Sequence, residues 1–210
     1  MRSALQKARE APDSTKARIL ATAEEVFAAK GFAGASTREI AAKAQVNISS
    51  LHYHWESKET LYFAVFQNIY DNILELVRTS IPAAVDGEKL SRAVVDHAMG
   101  ALFDFFADHP NIPKLLVHRL LENEDNQLQI ERDILVPAWR LFAEWTREYS
   151  GRKLRDTDYQ LFMLTVHSVL LVFLLDSQHF TSVLGGSLRE ADVRQRVRSY
   201  IIELVHKLLR

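Results

Sequence analysis

The sequence predicts an all-α protein of about nine helices, divided into a small N-terminal three-helix domain and a larger C-terminal helical domain. Three observations support this. Apolar residues recur at helical spacing wherever a pattern can be read, strand-like alternation and internal repeats are absent, and residues 36–61 (STREIAAKAQVNISSLHYHWESKETL) spell two short helices, a tight turn and the start of a third helix. The chain has 210 residues, 48% of them hydrophobic, enough to bury a substantial core.

Residues 1–13 hold Arg2, Lys7 and Arg9 but no apolar stretch of a signal peptide. They are expected to be a flexible arm on a cytoplasmic protein, either adding phosphate contacts or serving as a leader without a role. Residues 14–30 follow as an amphipathic helix, with Ile19, Ala23, Val26 and Phe27 on one face and Gly31 just past the end as a C-cap.

Ser36 and Glu39 have the spacing of a capping box, in which the hydroxyl and the carboxylate each satisfy an orphan backbone N–H. Ile40, Ala41 and Ala44 form the core face of the helix that follows, and the small Ala41, Ala42 and Ala44 permit a close helix crossing. Gln45-Val46-Asn47 makes the turn, and Asn47 is the N-cap of the next helix, residues 48–54. Leu51, with Val46 and Trp55 beside the helix, requires burial, which leaves Ser49, Ser50, His52, Tyr53 and His54 facing outward. A short exposed helix bearing hydroxyls, an aromatic ring and two imidazoles suits the DNA major groove, although capped helical hairpins also occur in all-α proteins that never touch DNA. Ser57 caps a longer helix, residues 58–79, which carries Leu61, Phe63, Val65, Phe66 and Ile69, ends before Pro82, and would link the two domains mechanically.

Further helical segments are expected at about 88–108, 112–122, 126–149, 156–180 and 188–209, punctuated by His109-Pro110, residues 122–126, Ser150-Gly151 and Gly185-Gly186. Residues 159–175 (YQLFMLTVHSVLLVFLL) are apolar almost all round. The segment is slightly short for a membrane span and contains Gln160, Thr165, His167 and Ser168, so a buried helix is expected and no membrane association. The last helix has a stripe of Val193, Val197, Ile201, Leu204, Val205 and Leu208 flanked by Arg194, Arg196 and Arg198. These two helices suggest self-association, or the filling of one monomer's core.

The absence of cysteine excludes disulfides, thiolate metal sites and cysteine nucleophiles. The eight histidines lack clustered spacing and only His118 and Glu122 form an i, i+4 pair, so neither a metal nor a cofactor is expected. Net charge is −1, yet residues 1–60 hold nine Lys and Arg against seven Asp and Glu, while the remainder holds seventeen against twenty. P-loop, dinucleotide, nucleophile-elbow and HExxH signatures are all missing, which argues against an all-α enzyme acting on a hydrophobic substrate.

Taken in order, ILATAEEVFAAKGFAGAS, TREIAAKAQV, LHYHW and SKETLY make residues 14–66 resemble the DNA-binding domain of the TetR family of bacterial transcriptional regulators. The resemblance implies a DNA-binding domain at residues 14–60 and a regulatory and dimerisation domain at residues 61–210. It implies that Thr37, His54 and Lys58 touch phosphates, with His52 where the family usually has a phosphate-binding Tyr, and that Arg38, Ile48, Ser49, Ser50 and Tyr53 lie nearest base edges. Ser49 stands where a Gly is common. It also implies a homodimer paired through residues 156–180 and 188–209 that reads a palindromic double-stranded operator.

A repressor released by a small apolar or aromatic effector is the expected mechanism, with Met99, Phe103, Phe106, His118, Trp139, Phe142, Phe162 and His167 as candidate ligand contacts and His97 as a further polar group. These aromatics equally suit a solid core. Control by a protein partner in place of a small ligand is the alternative for the same DNA-binding regulator.

Overall fold

The computed structural model describes residues 4–80, 92–121, 129–138, 140, 155–175 and 181–208. Among them are ten α-helices, one π-helical turn and no strand. The helices are α1 (Ala4–Glu10), α2 (Thr15–Gly34), α3 (Thr37–Lys43), α4 (Ile48–Trp55), α5 (Lys58–Ser80), α6 (Arg92–Asp108), α7 (Asn111–Leu121), α8 (Asp156–Leu175), α9 (Thr181–Leu184) and α10 (Ala191–Leu208), with the π-helical turn at Glu131–Leu135. The all-α expectation holds. Most of the segment expected at 126–149 lies outside the described residues, while α1, α9 and the π-helical turn add elements that the periodicity does not reveal. The chain clusters into two compact units, residues 1–71 with 114–135, and residues 72–113 with 136–210.

In the first unit the core is aromatic. Phe27 and Tyr62 meet edge to face at 4.9 Å, Tyr62 and Phe66 at 5.0 Å, and Phe32 lies 5.0 Å from Tyr62. Ile19, Ile40, Leu51 and Leu61 are fully buried with this cluster's helices. Each large apolar side chain so buried contributes about 1.5–3 kcal/mol. Trp55, also buried, donates its indole N–H to the Lys16 carbonyl at 3.2 Å and so fastens the end of α4 to the start of α2. Residues 4–10, expected within a flexible arm, are helical: Ala8 is buried, and Arg9 donates to the Asn68 side chain at 2.8 Å and pairs with Asp71 at 2.8 Å.

Gly31 interrupts α2 at φ 70° and ψ 179°, where the helix kinks before its last turn. A glycine C-cap is thus expected correctly, but the chain resumes helical geometry to Gly34 instead of leaving the helix. The kink carries Phe32 into the aromatic core.

In the second unit α6, α8 and α10 pack on one another around Phe103, Val166, Leu170 and Leu174, with Val193, Val197, Ile201 and Val205 supplying the buried stripe of α10. Leu204 is half-buried and Leu208 exposed, so the stripe is narrower than its sequence suggests. Ion pairs run along the α6–α10 seam. Arg194 bridges Asp104 at 2.9 Å and Asp108 at 2.6 Å, Arg198 reaches Asp104 at 3.1 Å, and His206 pairs with Asp96. The Arg194 hydrogen bond holds the Asp108 carboxyl below its ordinary range, partly opposed by burial. The Arg198 guanidinium lies over Gly100, where a Cβ would come within 1.8 Å of it and the arginine would have to shift.

The φ and ψ of Gly31 belong to a region that non-glycine residues enter at a cost of about 1–3 kcal/mol. Gly31→Ala is expected to lower the urea midpoint of unfolding by a corresponding amount, with no change in helical content by circular dichroism at low urea.

Candidate nucleic-acid interface

The helix-turn-helix is assembled from local signals. Ser36 accepts a hydrogen bond from the Glu39 N–H at 3.2 Å and so caps α3. The reciprocal half of the capping box does not form, because the Glu39 carboxylate pairs with Lys30 at 2.6 Å and thereby ties α3 to α2. At the other end Gln45 adopts φ 55°, Val46 N–H donates to the Ala41 carbonyl at 2.9 Å, and Gln45 N–H to Ala42 at 3.1 Å. This is a Schellman closure with Gln45 in the left-handed position usually given to glycine. Asn47 then accepts from the Ser50 N–H at 2.7 Å, with extended backbone, and starts α4.

Buried Leu51 and Trp55 fix the inner face of α4. Ile48, Ser49, His52 and Tyr53 are exposed, Ser50 and His54 half-buried, and Tyr53 is 84% exposed. A phenol so placed has no role in the core. Its ring meets His54 edge to face at 5.1 Å. His52 Nδ1 is 3.0 Å from the Glu56 carbonyl, which fixes the imidazole against the end of the helix. On α3, Arg38 is exposed and Thr37 half-buried in the first turn.

Lys58 sits differently from a free phosphate contact. Its ammonium donates to the Phe32 carbonyl at 3.0 Å and the Ala35 carbonyl at 3.2 Å, and lies 4.1 Å from the Phe32 ring centroid. Two of its three protons therefore satisfy carbonyls at the end of α2. His54 is held below its ordinary pKa, first by burial and then by the positive charge of Lys16. Its sequence context does not single out Lys16, yet its ammonium lies 5.9 Å from the Trp55 ring centroid and acts on His54. The available signal was a lysine in the first turn after the capping Ser14, which accepts from the Ala17 N–H at 3.2 Å.

The residues singled out as ligand contacts are only partly brought together. Met99 and Phe103 are buried in the core of the second unit, with Phe106 and Phe162 packed against it. His167 is half-buried on α8, and His97 is exposed on α6. His118 is half-buried on α7 and belongs to the first unit. Trp139 and Phe142 lie outside the described residues. No cluster of metal-binding side chains occurs among the described residues, and no helix there is long and apolar enough to cross a membrane.

Residues 19–65 match the family model for bacterial regulatory proteins of the tetR family. The chain is 31% identical over 152 residues to the HTH-type transcriptional repressor Rv3405c of Mycobacterium tuberculosis, spanning 66% of this chain and 79% of that protein. To the HTH-type transcriptional activator FasR of Mycolicibacterium smegmatis it is 37% identical over 93 residues, 44% of this chain and 41% of the activator. The fold is that of a crystallised transcriptional regulator, SCO4942 of Streptomyces coelicolor, at TM-score 0.65 and 23% identity, covering 93% of this chain and 98% of the other. FadR of Bacillus halodurans gives TM-score 0.65 at 18% identity, covering 92% of this chain and 96% of the other. The capped helix-turn-helix, the second helical unit and these similarities agree: the chain belongs to the TetR family of bacterial regulatory proteins and is a helix-turn-helix transcriptional regulator, not an enzyme.

Proposed function

We propose that the protein is a repressor that binds a palindromic operator as a homodimer and is released by a small, apolar or aromatic effector. The observation that carries the DNA contact is the outer face of α4, polar and aromatic on a helix capped at its start by the Asn47 side chain and closed at its end by the Glu56 N–H on the His52 carbonyl. In this reading Thr37, His52, His54 and Lys58 hold phosphates and Arg38, Ile48, Ser49, Ser50 and Tyr53 approach base edges, all within a DNA-binding domain of residues 14–60. Lys58 retains one proton for a phosphate beyond the two carbonyls it already serves. His54 is held below its ordinary pKa, first by burial and then by the charge of Lys16. Lys16 supplies a further charge beside it.

Support for the dimer comes from α8. Leu161, Leu164, Val172 and Leu175 are exposed at intervals that place them along one side of the helix, opposite buried Val166, Leu170 and Leu174. A second copy meeting this side, with α10 beside it, would cover it and set two α4 helices about 34 Å apart, one turn of DNA. The regulatory domain is residues 61–210, and Met99, Phe103, Phe106, Phe162 and His167, with His118, Trp139 and Phe142, are the candidate effector contacts. Release requires the effector to bind the DNA-incompetent state more tightly, and each tenfold loss of DNA affinity corresponds to about 1.4 kcal/mol of differential binding. Repression is favoured by the relative named as a repressor.

Selection of bound duplexes from a random library tests the reading as a whole. A palindromic winner bound two protomers per duplex is expected, and absence of enrichment would remove operator recognition. Arg38→Ala is expected to cost about 1–3 kcal/mol on the selected duplex and much less on random DNA, read by fluorescence anisotropy on both. Equal losses would reassign Arg38 to the phosphate backbone. Leu161→Glu combined with Val172→Glu is expected to give a folded monomer by analytical ultracentrifugation and to abolish tight operator binding, because both positions are already solvent-exposed in the single chain.

A further inference from the structure

Helix α7 turns a charged side chain inward. Ile112, Leu115 and Leu116 are buried, and the next position on that face, three residues beyond Leu116, is Arg119. Arg119 is 8% exposed, while Leu120 and Leu121, which follow it, are 59% and 76% exposed. The helix therefore turns a charge inward where rotation by one residue would have turned a leucine inward. Arginine is almost never buried to this degree unless paired.

Among the described residues no carboxylate forms an ion pair with Arg119, and its buried Nε has no hydrogen-bond partner. The ionisable group it acts on is Tyr70 of α5, in the same unit. Burial pushes the Tyr70 hydroxyl far above its ordinary range, and the attraction of Arg119 only partly opposes that, so Tyr70 is a neutral phenol and not a counter-ion. A guanidinium keeps its charge in proteins, and an uncompensated buried charge is strongly unfavourable. Leu115 and Leu116 beside it on α7 are buried and apolar, and so are Ile130, Ile134 and Leu135 of the same unit. The last two lie in the π-helical turn, a geometry often met at functional positions.

We infer that Arg119 is the anchor for an anionic effector, an organic carboxylate with an apolar body, bound within the unit of residues 1–71 and 114–135. The planar fork of the guanidinium receives a carboxylate bidentately, its Nε among the donors, and the Tyr70 hydroxyl adds a neutral polar group. The inference rests on the effector-controlled reading above, gives that effector its chemical class, and places its charged end in this unit beside His118 of the same helix, in place of the second-unit contacts Met99, Phe103, Phe106, Phe162 and His167.

The test uses the full-length protein with its selected operator duplex. The probes are straight-chain carboxylates from butyrate to laurate, benzoate, the corresponding neutral amides, and inorganic phosphate. Calorimetry and thermal unfolding of the wild type are expected to respond to one or more carboxylates, with Tm rising by about 5 °C at a hundredfold excess over Kd, and to be silent to the amides and phosphate.

Arg119→Met, close in length and uncharged, is expected to unfold at the same temperature as the unliganded wild type or higher and to lose the carboxylate response. Arg119→Lys keeps the charge without the fork and is expected to weaken carboxylate binding at least about tenfold. The inference is overturned if no carboxylate binds, if amide or phosphate binds as well as the acid, if Arg119→Met binds the acid unchanged, or if Arg119→Met lowers the unliganded Tm, which would mark Arg119 as internally satisfied. Carboxylate binding that requires Arg119 but leaves the operator complex intact would keep the anion site and remove effector control. Operator binding by Arg119→Met shows separately that DNA recognition survives.

Discussion

The DNA-reading unit depends on one aromatic contact set, Phe27 and Phe32 of α2 against Tyr62 and Phe66 of α5. Helices α3 and α4 are too short to be stable alone, since helix nucleation is costly and few hydrogen bonds follow it. They persist because Ile40, Leu51 and Trp55 are buried and both helices pack on α2 and on each other. The kink at Gly31 brings Phe32 into the cluster, and the same local turn presents the Phe32 and Ala35 carbonyls to Lys58. Packing, chain reversal and the position of a basic side chain at the start of α5 thus share one cause.

Above this support the interface is built by backbone closures that involve few residues each. Asn47, Gln45 and Ser36 each stop or start a helix within one turn, and Glu39 forgoes the second capping bond for an ion pair with Lys30. The exchange links α3 to α2 through side chains that are themselves partly exposed. Exposed ion pairs of this kind contribute little to stability, so orientation of α3 rests mainly on buried Ile40 and Ala41.

How much was legible in the sequence follows the range of the interactions. The helix-turn-helix could be read because its caps and turn act over three to five residues, and the stripe Val193, Val197, Ile201 and Val205 because burial on one helix face leaves a period. Helix α1 was hidden, since its polar composition becomes helical only with the distant partners Asn68 and Asp71. Lys58 looked like a surface cation because the carbonyls that hold it belong to residues more than twenty positions earlier. Arg119 was invisible for the opposite reason: Leu120 and Leu121 offer the periodic pattern an equally good apolar continuation, and only the packed helix shows which side faces inward. The aromatic residues of α6 and α8 could be read as buried, but whether they fill a core or line a cavity is a question of volume, which a linear pattern does not encode.

The seam between α6 and α10 bears on how the protein responds to ionic strength. Its centre is apolar, and its flanks are charge pairs: Arg194 and Arg198 with Asp104, Arg92 with Glu203, and His206 with Asp96. Added salt screens the flanking pairs only in part, since Arg194, Arg198 and His206 are half-buried, and leaves burial of Val197, Ile201 and Phe103 intact. Protein–DNA association behaves oppositely, losing affinity steeply as counterion release becomes less favourable. The second unit therefore keeps its packing across a range of salt in which a protein's hold on DNA changes by orders of magnitude.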